Sequence, residues 1–406
     1  MVHPAMQHKT CARFISQQRS LTLSDLTHLQ RIRQEMPATT DSVYLNTGTF
    51  GPLPKCVIQA IQNYLERELR EGRLGKGFEN ISAAYSDARA SIARLLHASE
   101  NEIALTDNTG EGLNIISYGF DWHKGDEVIT TNHEHISALA PLYQIRDRYG
   151  IVIRTADLGP AADRPVVEAI GELITPRTRL ISLSHVTWTT GAVLDIQAVG
   201  RLGHEKGIPV VIDGAQSAGA VPINVKELEV DFYAIPMQKW LCGPDGTGAL
   251  YTSQDALRNV ASTYVGYYSI KHEVDAEWAL NDTAQRFELG GRQTAAVAGQ
   301  AAALHWLEDF VGHDWLFTRI STLNTYAYNA LKDLPGLQML TPQPGASGII
   351  AFLLEGRDDS EVVKQLSQQH NIYIRNIPST KALRVSTGFY NTEEEIDRLA
   401  QALRAL

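Results

Sequence analysis

Asp213 closes one apolar run, PVVIDGAQSAGA, and Lys239 follows another in DFYAIPMQKWLCGPDGTGALY. An apolar run ending in an acid predicts a buried parallel strand that delivers a carboxylate to the sheet's C-terminal edge. The second segment predicts a short strand, a turn with one lysine, and then a Gly/Pro-rich loop. An amine in a confined pocket can form an imine with an aldehyde. An acid beneath a pyridine-type ring can keep its nitrogen protonated, so that the ring accepts electrons. Each residue alone has an ordinary alternative, a helix-capping Asp and a surface Lys.

The pairing resembles the class V aminotransferase group of pyridoxal phosphate (PLP) enzymes, and further segments match that family in order across about residues 40–400. TDNTGEGLN (106–114) follows an apolar run and opens a helix, whose N-terminus offers free N–H groups to a phosphate. The resemblance places Thr109, Gly110 and Glu111 against the cofactor phosphate; Gly110 stands where the desulfurase branch supplies a hydroxyl. A plain helix cap by Asn108 or Thr109 is the alternative. In VITTNHEHISALAP (128–141) the family's Glu-His pair matches Glu134–His135, with the His135 imidazole stacked on the pyridine ring and His133 as the register alternative. Two histidines two apart without a third ligand at suitable spacing imply no metal.

SHVTWTTGAVLDI (184–196) is similar to a segment of cysteine/cystine carbon–sulfur lyases and isopenicillin-epimerase-like proteins, with Trp188 at the substrate where desulfurases carry Asn. By the same resemblance Asp213 pairs with the ring nitrogen, Gln216 reaches the phenolic oxygen, and Lys239 carries the cofactor. Pro236 and Gln238 replace the family's hydroxyl residue and His before the lysine; Gln238 can donate a hydrogen bond but cannot titrate. In RFELGGRQTAAVAG (286–299) Gly291 replaces a Thr that in relatives reaches the neighbouring subunit's phosphate, and Arg292 offers a guanidinium instead, with a solvent-facing arginine as the alternative. In IYIRNIPSTKALRVSTGFYNTEEEIDRL (372–399) Arg384 matches the arginine that binds the substrate carboxylate, and Arg375 one used near the substrate by the lyase branch. Two arginines suit a substrate with two carboxylates, such as cystine. The loop 376–383 has no cysteine, whereas a desulfurase needs a thiolate there.

The resemblance therefore implies an amino-acid enzyme, foremost a cysteine/cystine C–S lyase that eliminates to pyruvate and ammonia. Epimerase, aminotransferase and desulfurase are the alternatives. A non-catalytic PLP-binding regulator is disfavoured by the intact lysine and by an N-terminal arm too short for a DNA-binding domain. The implied assembly is a homodimer with PLP sites at the interface.

The elements that must position these residues are α/β. Apolar runs at 102–105, 127–131, 151–155, 179–184, 208–213, 230–235 and 247–252 alternate with helical patterns near 110–119, 136–149, 164–174 and 195–206. That alternation predicts a large, mostly parallel seven-stranded sheet covered on both faces. Amphipathic helices are expected at 55–71 and 82–97. After about 275 come helices at 293–311 and 313–333, strands near 337–340, 347–354, 371–375 and 383–387, and helices from 358 and 392. They form a smaller α+β domain, completing the aspartate-aminotransferase type of fold (fold type I). The expected division is an arm at 1–20, a segment at 21–45 packing with the small domain, the PLP-binding domain at 46–275 and the small domain at 276–406.

Bulk properties agree with such an enzyme. The chain has 406 residues, 44% hydrophobic and 20% charged, with a net charge of −10. An acidic chain without a basic run disfavours nucleic acid as a partner. No stretch reaches the ~18 apolar residues of a membrane span, and the polar start lacks a secretory h-region. Cys11, Cys56 and Cys242 have no metal-type spacing, and so few cysteines fit a reducing compartment. The expected setting is the cytoplasm.

Overall fold

The structure, a computed structural model, describes residues 22–274 and 277–406. The expected arm, with Cys11, lies outside them. The described chain begins with helix α1 (Leu23–Glu35), whose start is fixed by reciprocal Thr22–Asp25 capping. There follow α2 (Ala38–Asp41), the short strand β1 (Val43–Tyr44), α3 (Lys55–Glu71) and α4 (Lys76–Leu96). The last starts six residues before the periodic pattern does, because its first turn is largely exposed.

The large sheet contains β2 (Ile103–Thr106), β3 (Glu127–Thr131), β4 (Val152–Ala156), β5 (Thr178–Ser184), β6 (Val210–Asp213), β7 (Phe232–Pro236) and β8 (Gly248–Thr252). Their spatial order is β2-β8-β7-β6-β5-β3-β4. Strands β3 to β7 run parallel, and β8 runs antiparallel to both of its neighbours. Helices α5 (Thr109–Gly119), α6 (Ile136–Tyr149), α7 (Val166–Gly171) and α8 (Ile196–Lys206) supply the crossovers. Alternate side chains enter opposite faces. On β7, Tyr233 and Ile235 join the core under α4 and α8, while Phe232 and Ala234 join the core under α5 and α6. Burial on both faces is why the strands other than the edge strand β4 read as largely apolar runs.

Next come an antiparallel hairpin, β9 (Ile270–Val274) with β10 (Glu277–Leu280), and helix α9 (Thr294–His305). The expected domain boundary at 275/276 lies outside the described residues. Helix α9 packs on α3 and α4 within the large core. Its small residues permit the close approach: a Cβ at Gly299 would press on Ile61. At Trp306 the helix widens into a π-helical turn through Val311, and α10 (His313–Leu331) follows.

The small sheet is built from β11 (Leu337–Met339) and β12 (Ile349–Leu354), then, after α11 (Asp359–His370) and the short β13 (Ile372–Tyr373), from β14 (Arg375–Ile377) and β15 (Ala382–Ser386). It is antiparallel in the order β11-β12-β15-β14 and is closed by α12 (Glu393–Ala405). One strand expected near 371–375 is two. β13 leaves this sheet to pair in parallel with β1, and Val43 and Leu45 enter the small domain's core. Among the described residues no helix is long and apolar enough to cross a membrane.

Candidate active site

Asp213 is the last residue of β6, and Lys239 lies three residues beyond the end of the adjacent β7. The turn that carries the lysine is tight. Cys242 N–H donates to the Lys239 carbonyl at 3.0 Å, and Gly51 N–H donates to the Gln238 carbonyl at 2.8 Å. A Cβ at Gly51 would collide with the Lys239 carbonyl, so glycine lets the 46–54 loop close over this turn. Burial, opposed by Asp213 and helped by Arg384 and Arg375, lowers the Lys239 amine from 10.5 to about 8. Asp213 is only 5% exposed and accepts one backbone hydrogen bond, from Ala215 N–H at 2.8 Å. Burial raises its pKa, and the charge of Lys239 opposes that rise.

The two histidines after β3 have different surroundings. His133 is buried, with Nδ1 on Thr189 Oγ1 and Nε2 on the Gly159 carbonyl, both at 2.6 Å. His135 is the N-cap of α6, its Nδ1 accepting from Ser137 N–H. Its ring meets that of Trp188 edge-on, centroids 5.0 Å apart. Burial, with Lys239, Arg375 and Arg384, lowers the imidazole to about 4, so it is neutral at physiological pH. Between them Glu134 is buried, accepting from the Thr131 and Ser184 hydroxyls at 2.6 Å each. Burial raises it to about 7, and Asp213 adds to the rise. Ser184 stands opposite Asp213 in the β5–β6 register.

Gln216 spends its amide on the chain itself: Nε2 donates to the Gly48 carbonyl at 2.8 Å, and Oε1 accepts from Trp240 Nε1 at 2.9 Å. Arg384, 1% exposed, donates to the Trp188 carbonyl at 3.2 Å and to Thr49 Oγ1 at 3.1 Å. Burial and Arg375 bring its guanidinium down to about 9. Arg375 is half-buried over the Trp188 ring, 5.7 Å from the centroid, and also reaches Thr49 Oγ1.

Thr109, Gly110 and Glu111 form the first turn of α5 behind the N-cap Asn108, whose side chain accepts from Glu111 N–H at 3.0 Å. Arg292 donates to Glu111 at 2.9 Å and pairs with Asp107, so its guanidinium is committed to carboxylates at this turn. Gly291 has φ +44°, and its N–H donates to the Tyr267 hydroxyl at 2.9 Å. Thr49 was not anticipated near the site, and its signal exists only in three dimensions. Glu134 was visible in sequence only as the first member of the Glu-His pair.

A phosphorylated pyridine aldehyde suits these residues. Lys239 Nζ makes no hydrogen bond among the described residues, and Asp213 is a buried acid with one backbone partner. Thr109 Oγ1, Gln238 Oε1 and Arg384 Nε are buried polar atoms left without partners. Such atoms are costly unless a ligand satisfies them.

The class-V aminotransferase family profile matches residues 43–399. The chain belongs to that family. Similar proteins are the cysteine desulfurase CsdA of Escherichia coli, 31% identical over 93% of this chain and 97% of that one, and the isopenicillin N epimerase of Streptomyces clavuligerus, 30% identical over 90% and 94%. A solved C-DES mutant, with glycine covalently linked to its PLP cofactor, matches with TM-score 0.88 and 29% identity over 92% of this chain and 98% of that one. The cystine C–S lyase C-DES with its product cysteine persulfide gives 0.87 and 29% over 91% and 99%. The expected fold type I architecture is the one present.

Proposed function

We propose that this chain is a PLP-dependent C–S lyase of cysteine or cystine, forming pyruvate, ammonia and sulfide or persulfide. The carrying observation is the hairpin between β14 and β15. Its turn is Pro378-Ser-Thr-Lys381, with Thr380 N–H on the Ile377 carbonyl at 3.1 Å, and it holds no thiol. Sulfur transfer needs a thiolate within reach of the substrate sulfur. Cys242 lies behind the lysine turn, and burial pushes its thiol far up; burial raises Cys56, on α3, to about 11. Neither supplies a thiolate at neutral pH.

PLP, when bound, supplies an electron sink for the pair left at Cα. Asp213 keeps a proton on the ring nitrogen. Lys239, brought to about 8, removes the proton at Cα, and Arg384 with Arg375 holds the substrate carboxylate. Thr109 Oγ1, the free N–H groups opening α5 and Gln238 would hold the phosphate, and neutral His135 with the Trp188 edge would wall the ring site from water. Gln216, fixed by Gly48 and Trp240, keeps one amide hydrogen that would serve the phenolic oxygen. Elimination then requires only loss of the sulfur group on Cβ. A persulfide leaves more readily than hydrosulfide because its conjugate acid is the stronger, which favours cystine over cysteine.

The test is a panel of L-cysteine and L-cystine on purified holoenzyme, measuring pyruvate, sulfide, alanine, keto-acid exchange and inversion at Cα. Stoichiometric pyruvate supports the lyase. Alanine as the main product, or inversion without elimination, overturns it. A cytoplasmic homodimer is part of the same reading. It is supported by exposed Tyr264, Val265, Tyr267 and Leu289 on segments that touch at Gly266. A monomeric mass by light scattering would remove the dimer.

A further inference from the structure

Arg375 and Arg384 stand opposite each other in the β14–β15 register. Like charges in such a pair repel. Among the described residues neither forms an ion pair with a carboxylate; their nearest acceptors are neutral oxygens. One of those oxygens is shared. The Thr49 hydroxyl donates to Asn46 Oδ1 at 2.7 Å, which turns its lone pairs toward Arg384 Nη2 at 3.1 Å and Arg375 Nη1 at 3.3 Å. The loop reaches them because residue 48 is glycine: a Cβ there would press on Ser386 Oγ, Gln216 Oε1 and Arg384 Nη2.

Two nitrogens that bond one oxygen lie within the span of a single carboxylate group and converge on one point. A neutral hydroxyl orients them but does not offset two charges, one buried and one half-buried, whereas an anion does. Resting on the lyase reading, we infer that Thr49 is a positioning residue that joins Arg375 and Arg384 into one clamp for the substrate α-carboxylate. Arg375 is then not reserved for a second, distal carboxylate. Trp188 completes the mount, its carbonyl on Arg384 and its ring beneath Arg375. The substrate class widens accordingly to β-substituted amino acids with one carboxylate.

The experiment compares L-cystine, with two carboxylates, and β-chloro-L-alanine, with one, on holoenzyme carrying Thr49→Val or Thr49→Ser. Loss of the oriented hydroxyl should raise KM about 10-fold for both substrates with kcat changed less than about 2-fold, and Thr49→Ser should restore KM. Binding of glycine, followed by the cofactor's absorbance, should weaken in Thr49→Val by a similar factor. A KM loss confined to cystine, or none in Thr49→Val, overturns the clamp. If Thr49→Val does not fold, Arg375→Gln reads the same point: equal losses on both substrates support it, and a loss on cystine alone overturns it. Glycine binding needs no elimination. If neither substrate yields pyruvate the lyase reading falls, while the glycine Kd values still judge the clamp: weakened in Thr49→Val they support it, unchanged they overturn it.

Discussion

The Trp188 carbonyl accepts from Arg384 Nη1 at 3.2 Å, joining the loop after a strand of the large sheet to the third strand of the small one. The proposed substrate site therefore belongs to both sheets, while the lysine and its acid belong to one. Changes on the two sides should separate in their effects.

Arg384→Ala should raise KM for amino-acid substrates far more than it weakens cofactor binding. A buried charge-assisted carboxylate pair is worth about 2–4 kcal/mol, so kcat/KM should fall about 30- to 1000-fold. Steady-state kinetics beside a PLP titration checks this. Equal losses in both would make Arg384 a structural residue.

Borohydride treatment of the holoenzyme, followed by peptide mapping, should find the cofactor's mass on Lys239. Lys226 and Lys271 are held in ion pairs with Glu102 and Asp282 at 2.5 and 2.8 Å. A label on either would displace Lys239 from its role.

Cofactor capture by the apoprotein should depend on the unprotonated amine. With Lys239 lowered to about 8, the rate constant for PLP uptake should climb with pH and level off above about 8. A profile still rising toward 10.5 would place the reacting amine outside this pocket.

Glu134 should leave a signature in stability. Its folded pKa is raised from 4.5 to about 7, so the folded state binds the proton more tightly. The associated stabilisation is complete below about 4.5 and is lost as pH rises through about 7, by at most about 3 kcal/mol. Thermal melts from pH 5 to 8 should therefore show wild type declining relative to Glu134→Gln. Parallel melting curves would show that Glu134 is already ionised at pH 5.

The elimination chemistry should need no thiol. A variant with Cys11, Cys56 and Cys242 all changed to Ser should keep most of its pyruvate-forming rate, with ammonia in equal amount. Alanine as product, with a persulfide trapped on Cys242, would show sulfur transfer instead.

The large sheet was legible because its strands, the edge strand β4 apart, are buried and read as apolar runs, and Asp213 and Lys239 stood out as polar residues, one ending such a run and the other three residues beyond one. The β9–β10 hairpin was not, since its sequence, IKHEV and EWAL, is charged. Arg292 was expected as a candidate for the phosphate, yet its partners are Asp107 and Glu111, remote in sequence and chosen by the fold. Thr49 sits in an unremarkable loop, NTGTFG, and matters only because that loop folds under a strand that begins at residue 382. Local pattern carries no trace of such a meeting.

The pairing of β1 with β13 makes the small domain discontinuous in sequence. During synthesis the lysine turn and its acid emerge with the central sheet, so a cofactor pocket can assemble on the ribosome. Val43, Leu45 and Thr49 precede the central sheet in the chain but find Ile372, Arg375 and Arg384 only once the segment beyond residue 370 has appeared. Synthesis thus has a built-in order: the reactive amine can be housed before the grip on the amino acid closes.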